Sequence, residues 1–225
     1  MHDDFGFPIE LSLGVAACAL AVVAPLGIAV ALLQARVRHL AHGLIDALVL
    51  LPLVLPPSVV GFVLVLGFGR HGLVGGTLER FGVRVLFSPA GAVVASSVVA
   101  FPMLVKTCQP AFEAVPRELE DIARTLGLRR REVFFRVTLR HAWRGVVAGL
   151  VLAFARALGE FGATLMVAGN IPGKTNTMPI EIFSAYQRGD DSRALGYVAV
   201  LALSSLAIAL VAARLTPGPA RVRDH

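Results

Sequence analysis

Arg156 and Glu160 are the residues of this 225-residue chain whose chemistry is most at odds with their surroundings. They stand four apart in an apolar run from Gly145 to Gly169, and Thr164 follows four residues later. At ~100° per residue, one helix would place all three on the face that carries Gly145, Gly149, Ala153 and Ala157. Val147, Phe154, Leu158, Phe161 and Leu165 would take the opposite face. Ionisable groups deep in hydrocarbon are costly and tend to be functional. Two readings fit: a mutually neutralising structural pair at i,i+4 spacing, or a cation facing a path that suits an anionic substrate.

A second constellation looks chemical and is a decoy. Ala168 to Thr175 reads AGNIPGKT, a loose phosphate-loop pattern with Ala for the first Gly. A real phosphate loop joins a strand to a helix that opens at the Lys. Here the stretch ends an apolar run and contains Pro172, so no nucleotide site is expected. The six histidines include no HExxH pair and no cysteine partners at metal spacing. No serine sits in a GxSxG elbow. The expectation is a chain with no catalytic residues, no metal and no other cofactor. Cys18 and Cys108 lie in or beside apolar runs and read as small apolar residues rather than a disulfide.

The elements that must position these residues are membrane spans. The chain is 56% hydrophobic and only 16% charged, with a mean hydropathy of +0.74 and a pI near 10.3. Its basic residues lie between apolar runs instead of forming one patch, which excludes nucleic acid as a partner and favours a membrane. Five spans are expected, roughly 11–33, 44–68, 89–109, 145–169 and 194–215, each near the length needed to cross ~30 Å of hydrocarbon. They form a single transmembrane domain over 1–225, with a long cytoplasmic loop over about 110–144. Pro25 and Pro102 fall inside the first and third spans, and Pro25 is expected to kink the first. Met1 to Phe7 carries Asp3 and Asp4 and no basic residue, so no signal peptide is read there.

Charge orients the spans. Lys106 to Arg144 holds nine Lys or Arg against five Asp or Glu, a net of +4. The loop after the first span (Arg36, Arg38, His39, His42) and the tail (Arg221, Arg223) are also basic. The N-terminus is therefore expected outside and the C-terminus in the cytoplasm. In the second span, Pro52, Pro56 and Pro57 precede Ser58, and an unbroken helix cannot hold them. A break at membrane depth needs protein or a water-filled cavity to cover it. Pro56, Pro57 and Ser58 either line a pathway or mark a kink that only serves packing.

The loop itself has structure in its pattern. Glu118 to Arg144 reads ELEDIARTLGLRRREVFFRVTLRHAWR. Leu119, Ile122 and Leu126 recur at helical spacing, with Glu120, Asp121 and Arg124 pointing elsewhere. Pro116 precedes this helix and Gly127 is placed to end it. A second helix starts near Arg130, with Val133, Phe134 and Val137 on one side. The apolar residues need a cover and the charges need water or a partner.

This stretch resembles the cytoplasmic loop of binding-protein-dependent ABC importer permeases: E-A-A, three residues, Gly, nine residues, Ile, one residue, Leu-Pro. Asp121-Ile122-Ala123 stands for E-A-A, Gly127 follows at the family spacing, and Val137-Thr138-Leu139 follows in turn. The departures are Asp for Glu, Ile for Ala, Val for Ile, and Arg140 for the final Pro. The resemblance implies an all-α, type I ABC importer transmembrane domain. It also implies that Glu120, Asp121, Ala123, Gly127, Val137 and Leu139 couple to an ATPase.

Four further segments look like the molybdate importer permeases, some of which also carry tungstate. They are Leu51 to Gly61, Phe134 to Leu139, Ala155 to Thr164, and Gly169 to Gly173. Sulfate and thiosulfate permeases are similar in the same places. The resemblance implies a permease homodimer, a cytoplasmic ATPase dimer, an extracytoplasmic molybdate-binding protein and an inner or plasma membrane location. Pro56, Pro57, Ser58, Arg156, Glu160 and Thr164 are the candidate pathway residues. MPIEIFSAYQ reads as a short amphipathic helix from Pro179, with Ile180, Phe183 and Tyr186 on one side. It would touch the binding protein or lie at the membrane surface. A secondary transporter would leave the loop motif unexplained and would often show inverted repeats, which the chain lacks. A membrane enzyme would need a catalytic constellation.

Overall fold

The computed structural model describes residues 5–36, 42–70, 72–82 and 84–215. Asp3, Asp4, Arg38, His39, Arg221 and Arg223, used above to orient the chain, lie outside them. Among the described residues every regular element is a helix, as the apolar runs require. In order they are α1 (Gly6–Arg36), α2 (His42–Val54), α3 (Pro57–Phe68), α4 (Gly75–Arg80), α5 (Pro89–Glu113), α6 (Arg117–Thr125) and α7 (Arg130–Val133). A π-helical turn, Phe134–Thr138, then leads into α8 (Leu139–Leu158), followed by α9 (Gly162–Ala168), α10 (Met178–Gln187) and α11 (Asp191–Leu215). Four helices are long and apolar enough to cross a membrane: α1, α5, the Arg130–Leu158 helix and α11. The bent pair α2–α3 makes a fifth when counted as one span.

The centre is α5, with α1 parallel to it and α8 antiparallel. Val15 packs with Ala92, Gly27 faces Leu104, and Arg36 reaches the Val115 carbonyl. Along α8, Gly145 faces Ala111 and Gly149 faces Cys108. A Cβ on Gly145 would lie 2.3 Å from that of Ala111, and one on Gly149 would lie 2.8 Å from the Cys108 sulfur. Small residues therefore set how near these helices come. Close van der Waals packing is what joins helices when the solvent is itself apolar. Ala153 and Ala157 continue this buried face of α8. Cys18 and Cys108 are both free thiols, the first exposed and the second buried.

The contacts define two ends. At one, Tyr197 of α11 stacks on Phe5, with ring centroids 4.2 Å apart, and the Met178 amide donates to the Ser12 hydroxyl. At the other lie Arg36, Val115 and α6. Thus α1, α5 and α11 run from the α10 end to the α6 end, while α2 and α8 run back.

The second run breaks at its prolines, as their spacing predicts, and α2 and α3 are bent by 108° relative to one another. Pro56 takes an extended conformation (φ −54°, ψ 136°), and Pro57 starts α3 where its missing N–H costs nothing. Two other features differ from the sequence reading, each with a local cause. The fourth run is also broken, because α8 ends at Leu158 and α9 starts at Gly162. The helical face drawn through Arg156, Glu160 and Thr164 is therefore interrupted.

The second difference is that the second loop helix does not end before the membrane. It passes straight into α8 to make one helix of 29 residues, Arg130–Leu158. Arg140, standing where the family motif has Pro, keeps the backbone donor that a helix needs. Along this helix Val133, Thr138, Ala142, Val146, Gly149, Ala153 and Ala157 are buried. Along this face the step from Val133 to Thr138 is five residues and the later steps are three or four, with Ala148 and Leu158 buried beside it. Five residues at ~100° each would turn Val133 about 140° off the face. The π turn falls within that step and absorbs the additional residue.

Two glycines hold α3 against α9. A Cβ on Gly61 would lie 2.7 Å from Met166 Cβ and 2.9 Å from Ala163 Cα. Gly61→Val should therefore force the helices apart and cost about 1–3 kcal/mol. Thermal unfolding of purified protein in detergent should show a lower Tm for Gly61→Val. Gly67→Val is the control, since a Cβ there meets nothing within 4 Å, and an equal drop in both variants would contradict the packing argument.

Candidate functional site

The α6 end is built around a buried carboxylate. Glu120 has a side chain only 9% exposed and pairs with Arg36 Nη2 at 2.5 Å. The Thr138 hydroxyl donates to the same carboxylate oxygen at 2.7 Å, and Arg124 approaches its other oxygen at 3.6 Å. Arg36 also donates to the Val115 carbonyl, and Arg117 donates back to the Arg36 carbonyl. One acid thus ties α6 to the end of α1 and to the π turn. Without that turn, Thr138 and Val133 could not share the buried side.

The polarity of α6 is inverted relative to an ordinary surface helix. Glu120 and Ala123 are buried, while Leu119, Ile122 and Leu126 are 38%, 56% and 77% exposed. Among the described residues nothing covers that apolar stripe. Phe135, further along the loop, is exposed as well. Asp121 points outward and pairs with Arg124 at 2.8 Å. Gly127 ends the helix with φ +88°, a backbone angle that L side chains rarely adopt. The Leu128 amide donates to the Ala123 carbonyl and closes the turn. Val137 and Leu139 are half-buried, and Leu139 packs on the core. Of the six residues expected to couple, Asp121 and Gly127 lie on the open surface, whereas Glu120 holds the loop together from within.

The two helix breaks touch. The Leu55 amide completes α2 by donating to the Leu51 carbonyl, and the Val60 amide donates to Pro56. A Cβ on Gly162 would lie 3.0 Å from Pro57 Cβ, so the start of α9 rests on the start of α3. Pro56, Pro57 and Ser58 are exposed. Glu160 sits in the second break with its side chain 1% exposed. One of its oxygens accepts the Ala163 amide at 2.8 Å, and the other holds Arg156 Nη2 at 2.8 Å. The carboxylate therefore caps α9 and neutralises Arg156 together. A cap of this kind satisfies a donor that water cannot reach. The Thr164 hydroxyl is buried beyond it with no hydrogen-bond partner among the described residues.

The phosphate-loop lookalike connects helix α9 to helix α10. Its amides are turned inward: Ile171 donates to the Thr175 hydroxyl and Gly173 to the Asn176 side chain, both at 3.0 Å. Lys174 is exposed. The following helix is not amphipathic in the way its sequence suggests. Ile180 is fully buried, while Phe183 and Tyr186 are 41% and 70% exposed. The buried Glu181 decides the orientation, since Arg188 and Arg193 both reach it, at 2.8 and 3.1 Å. Asp190 follows; the Arg193 amide, then the Ser192 hydroxyl, holds its carboxyl below the usual carboxylate range.

Sequence reading missed the partners that complete these groups. In the sequence Arg36 reads only as a basic flank, and Thr138 only as a motif spacer. A further ion pair joins Asp46 of α2 to Lys106 of α5, with Gln34 donating to the same acid. The available signal was that Asp46 and Lys106 are lone charges inside apolar runs.

Among the described residues the chain is all helical, with two broken spans and an outward apolar loop helix, the architecture of a multi-span membrane protein. Residues 23–217 match the family model of the binding-protein-dependent transport system inner membrane component. The chain belongs to that family. It is 42% identical over 216 residues to the molybdenum transport system permease protein ModB of Escherichia coli K12, covering 95% of this chain and 93% of the relative. It is 46% identical over 180 residues to the ModB protein of Haemophilus influenzae, covering 80% and 79%. The putative molybdenum permease YvgM of Bacillus subtilis is 38% identical over 204 residues, covering 90% of each. A crystal structure of an amino acid ABC transporter shares the fold, with a TM-score of 0.60 over 92% of each chain at 16% identity.

The buried carboxylate gives a direct test. Glu120→Gln leaves Arg36 without its counter-ion and should destabilise the chain by on the order of 3 kcal/mol. Arg36→Met combined with Glu120→Met should recover most of that loss. The exposed Asp121→Asn should change stability by less than about 1 kcal/mol. Unfolding in detergent measures all three, and a double variant no better than Glu120→Gln would argue against the pairing.

Proposed function

We propose that this chain is the permease subunit of an ATP-driven importer that carries molybdate, and the similar oxyanion tungstate, into the cytoplasm. The observation that carries the reading is the near full-length identity to molybdenum permeases. The chemistry of the chain is in keeping with it. In this reading two copies enclose the path and the chain itself binds no nucleotide. A separate ATPase dimer hydrolyses ATP and docks on the outward stripe of Leu119, Ile122 and Leu126. Asp121 borders that surface, and Gly127 fixes its turn. A binding protein delivers the oxyanion at the α10 end. The α6 end then faces the cytoplasm, with the N-terminus outside, as the positive-inside rule expects.

The path runs past the touching breaks, where Pro56, Pro57 and Ser58 are exposed and Arg156 lies close by in the chain. A transported ion must enter favourably and still leave. Arg156 attracts a dianion, and the Glu160 carboxylate at 2.8 Å weakens that attraction enough for release. Movement of α6 reaches the break through the Glu120 contact and the continuous Arg130–Leu158 helix. Val137 and Leu139 lie on that route.

Two measurements test this. Labelled molybdate should accumulate in vesicles holding the permease, its ATPase and binding protein, only with ATP. Tungstate should compete far better than sulfate. Uptake without the ATPase, or sulfate competing best, would overturn the assignment.

The second concerns the ion pair. Arg156→Gln or Glu160→Gln alone should lower folded yield by stranding a buried charge, at about 3–5 kcal/mol. The double variant should regain yield while uptake stays low. If uptake returns in full as well, the pair is structural only.

A further inference from the structure

An apolar groove runs between α1, α8 and α11, lined by Leu20, Val151, Phe154, Ala207 and Val211 among others. Arginines continue both walls towards the α6 end. Arg144 lies seven residues from Val151, and Arg214 lies seven from Ala207. Seven residues are nearly two full turns, so each arginine shares its helix face with the groove residue, about 10 Å further on. Because α8 and α11 are antiparallel, both steps lead to the same end. Arg140 stands one turn beyond Arg144. All three arginines are exposed.

Among the described residues no acid balances them. The sequence has no Asp or Glu between Glu132 and Glu160, and none from Ser192 to Arg223. Neither Arg140, Arg144 nor Arg214 forms an ion pair among the described residues. Trp143, 47% exposed, lies beside Arg144, whose guanidinium is 5.7 Å from the indole centroid. A tryptophan beside arginines at the end of an apolar helix is the pattern of a bilayer boundary.

We infer that this groove is a binding site for an anionic phospholipid, its acyl chain along Val151 and Ala207 and its phosphate between Arg144, Arg140 and Arg214. The groove supplies apolar contact and no competing polar group. The uncompensated charges supply the preference for an anionic headgroup over a zwitterionic one. The inference needs only the membrane setting and is independent of which ion the protein transports.

The intact importer, exchanged into nanodiscs of phosphatidylcholine with graded phosphatidylglycerol, tests it by native mass spectrometry of retained lipid. The wild type should retain phosphatidylglycerol in preference to phosphatidylcholine. Arg144→Gln with Arg214→Gln should weaken that retention by about 30-fold, roughly fivefold for each arginine. Ala207→Trp fills the groove and should abolish retention with both arginines in place. Arg130→Gln with Arg131→Gln removes equal charge away from the groove and should change nothing. A photocrosslinker at Val151 should capture lipid. Equal retention of both lipids, unchanged retention in the groove variants, an equal loss in the Arg130 and Arg131 variant, or capture of a protein chain at Val151 would each overturn the site.

Discussion

Backbone amides and carbonyls in hydrocarbon have no water to fall back on, so a helix that stops inside the membrane must find partners for its end within the protein. That constraint organises the chain. Two helices stop where pathway residues are expected, and each stop has a local solution. At the first, proline removes the donors that would have been stranded. At the second, the Glu160 carboxylate takes up the Ala163 amide. The stops then lean on one another through Gly61 and Gly162, which let α3 and α9 approach closely. The same packing through small residues joins α8 to α5.

The buried acids share a logic. Glu120, Glu160 and Glu181 are each nearly inaccessible and each meet at least one arginine. None stands alone, since an unpaired buried carboxylate would give up its charge or cost several kcal/mol. Each also bonds to a second group, and that second bond sets the local geometry. Thr138 fixes the loop, the Ala163 amide starts α9, and Asn176 closes the turn before α10.

Much of this was legible in the sequence, for reasons that also explain the rest. Apolar runs of membrane length had to be helices. Three prolines within six residues had to break one of them, and Gly127 stood where a left-handed residue ends a helix. The face of Gly145, Gly149, Ala153 and Ala157 was readable because helical periodicity holds within α8. The reading failed where periodicity was carried across an irregularity. Glu160 lies in a break, so its neighbours are set by capping rather than by a 100° step. The π turn shifts the buried side by one residue, which no regular period reveals. Helical spacing groups Ile180 with Phe183 and Tyr186, but the ion pairs of Glu181 turn the helix another way. Partners such as Arg36 and Thr138 lie far from Glu120 in sequence, and nothing local points to them.

The absence of a break between the second loop helix and α8 has a mechanical meaning. A helix of 29 residues spans about 43 Å at 1.5 Å per residue. Pivoted at its loop end, it acts as a lever whose irregular turn, Phe134–Thr138, lies close to the pivot. A tilt of about 5° there swings Leu158 by roughly 4 Å over that span, more than the radius of an atom and comparable to the width of a small oxyanion. Proline at position 140 would introduce a joint and let the two arms bend independently. Arginine in its place keeps the helix whole, so that a small rotation at the loop end would be carried to the Glu160 break.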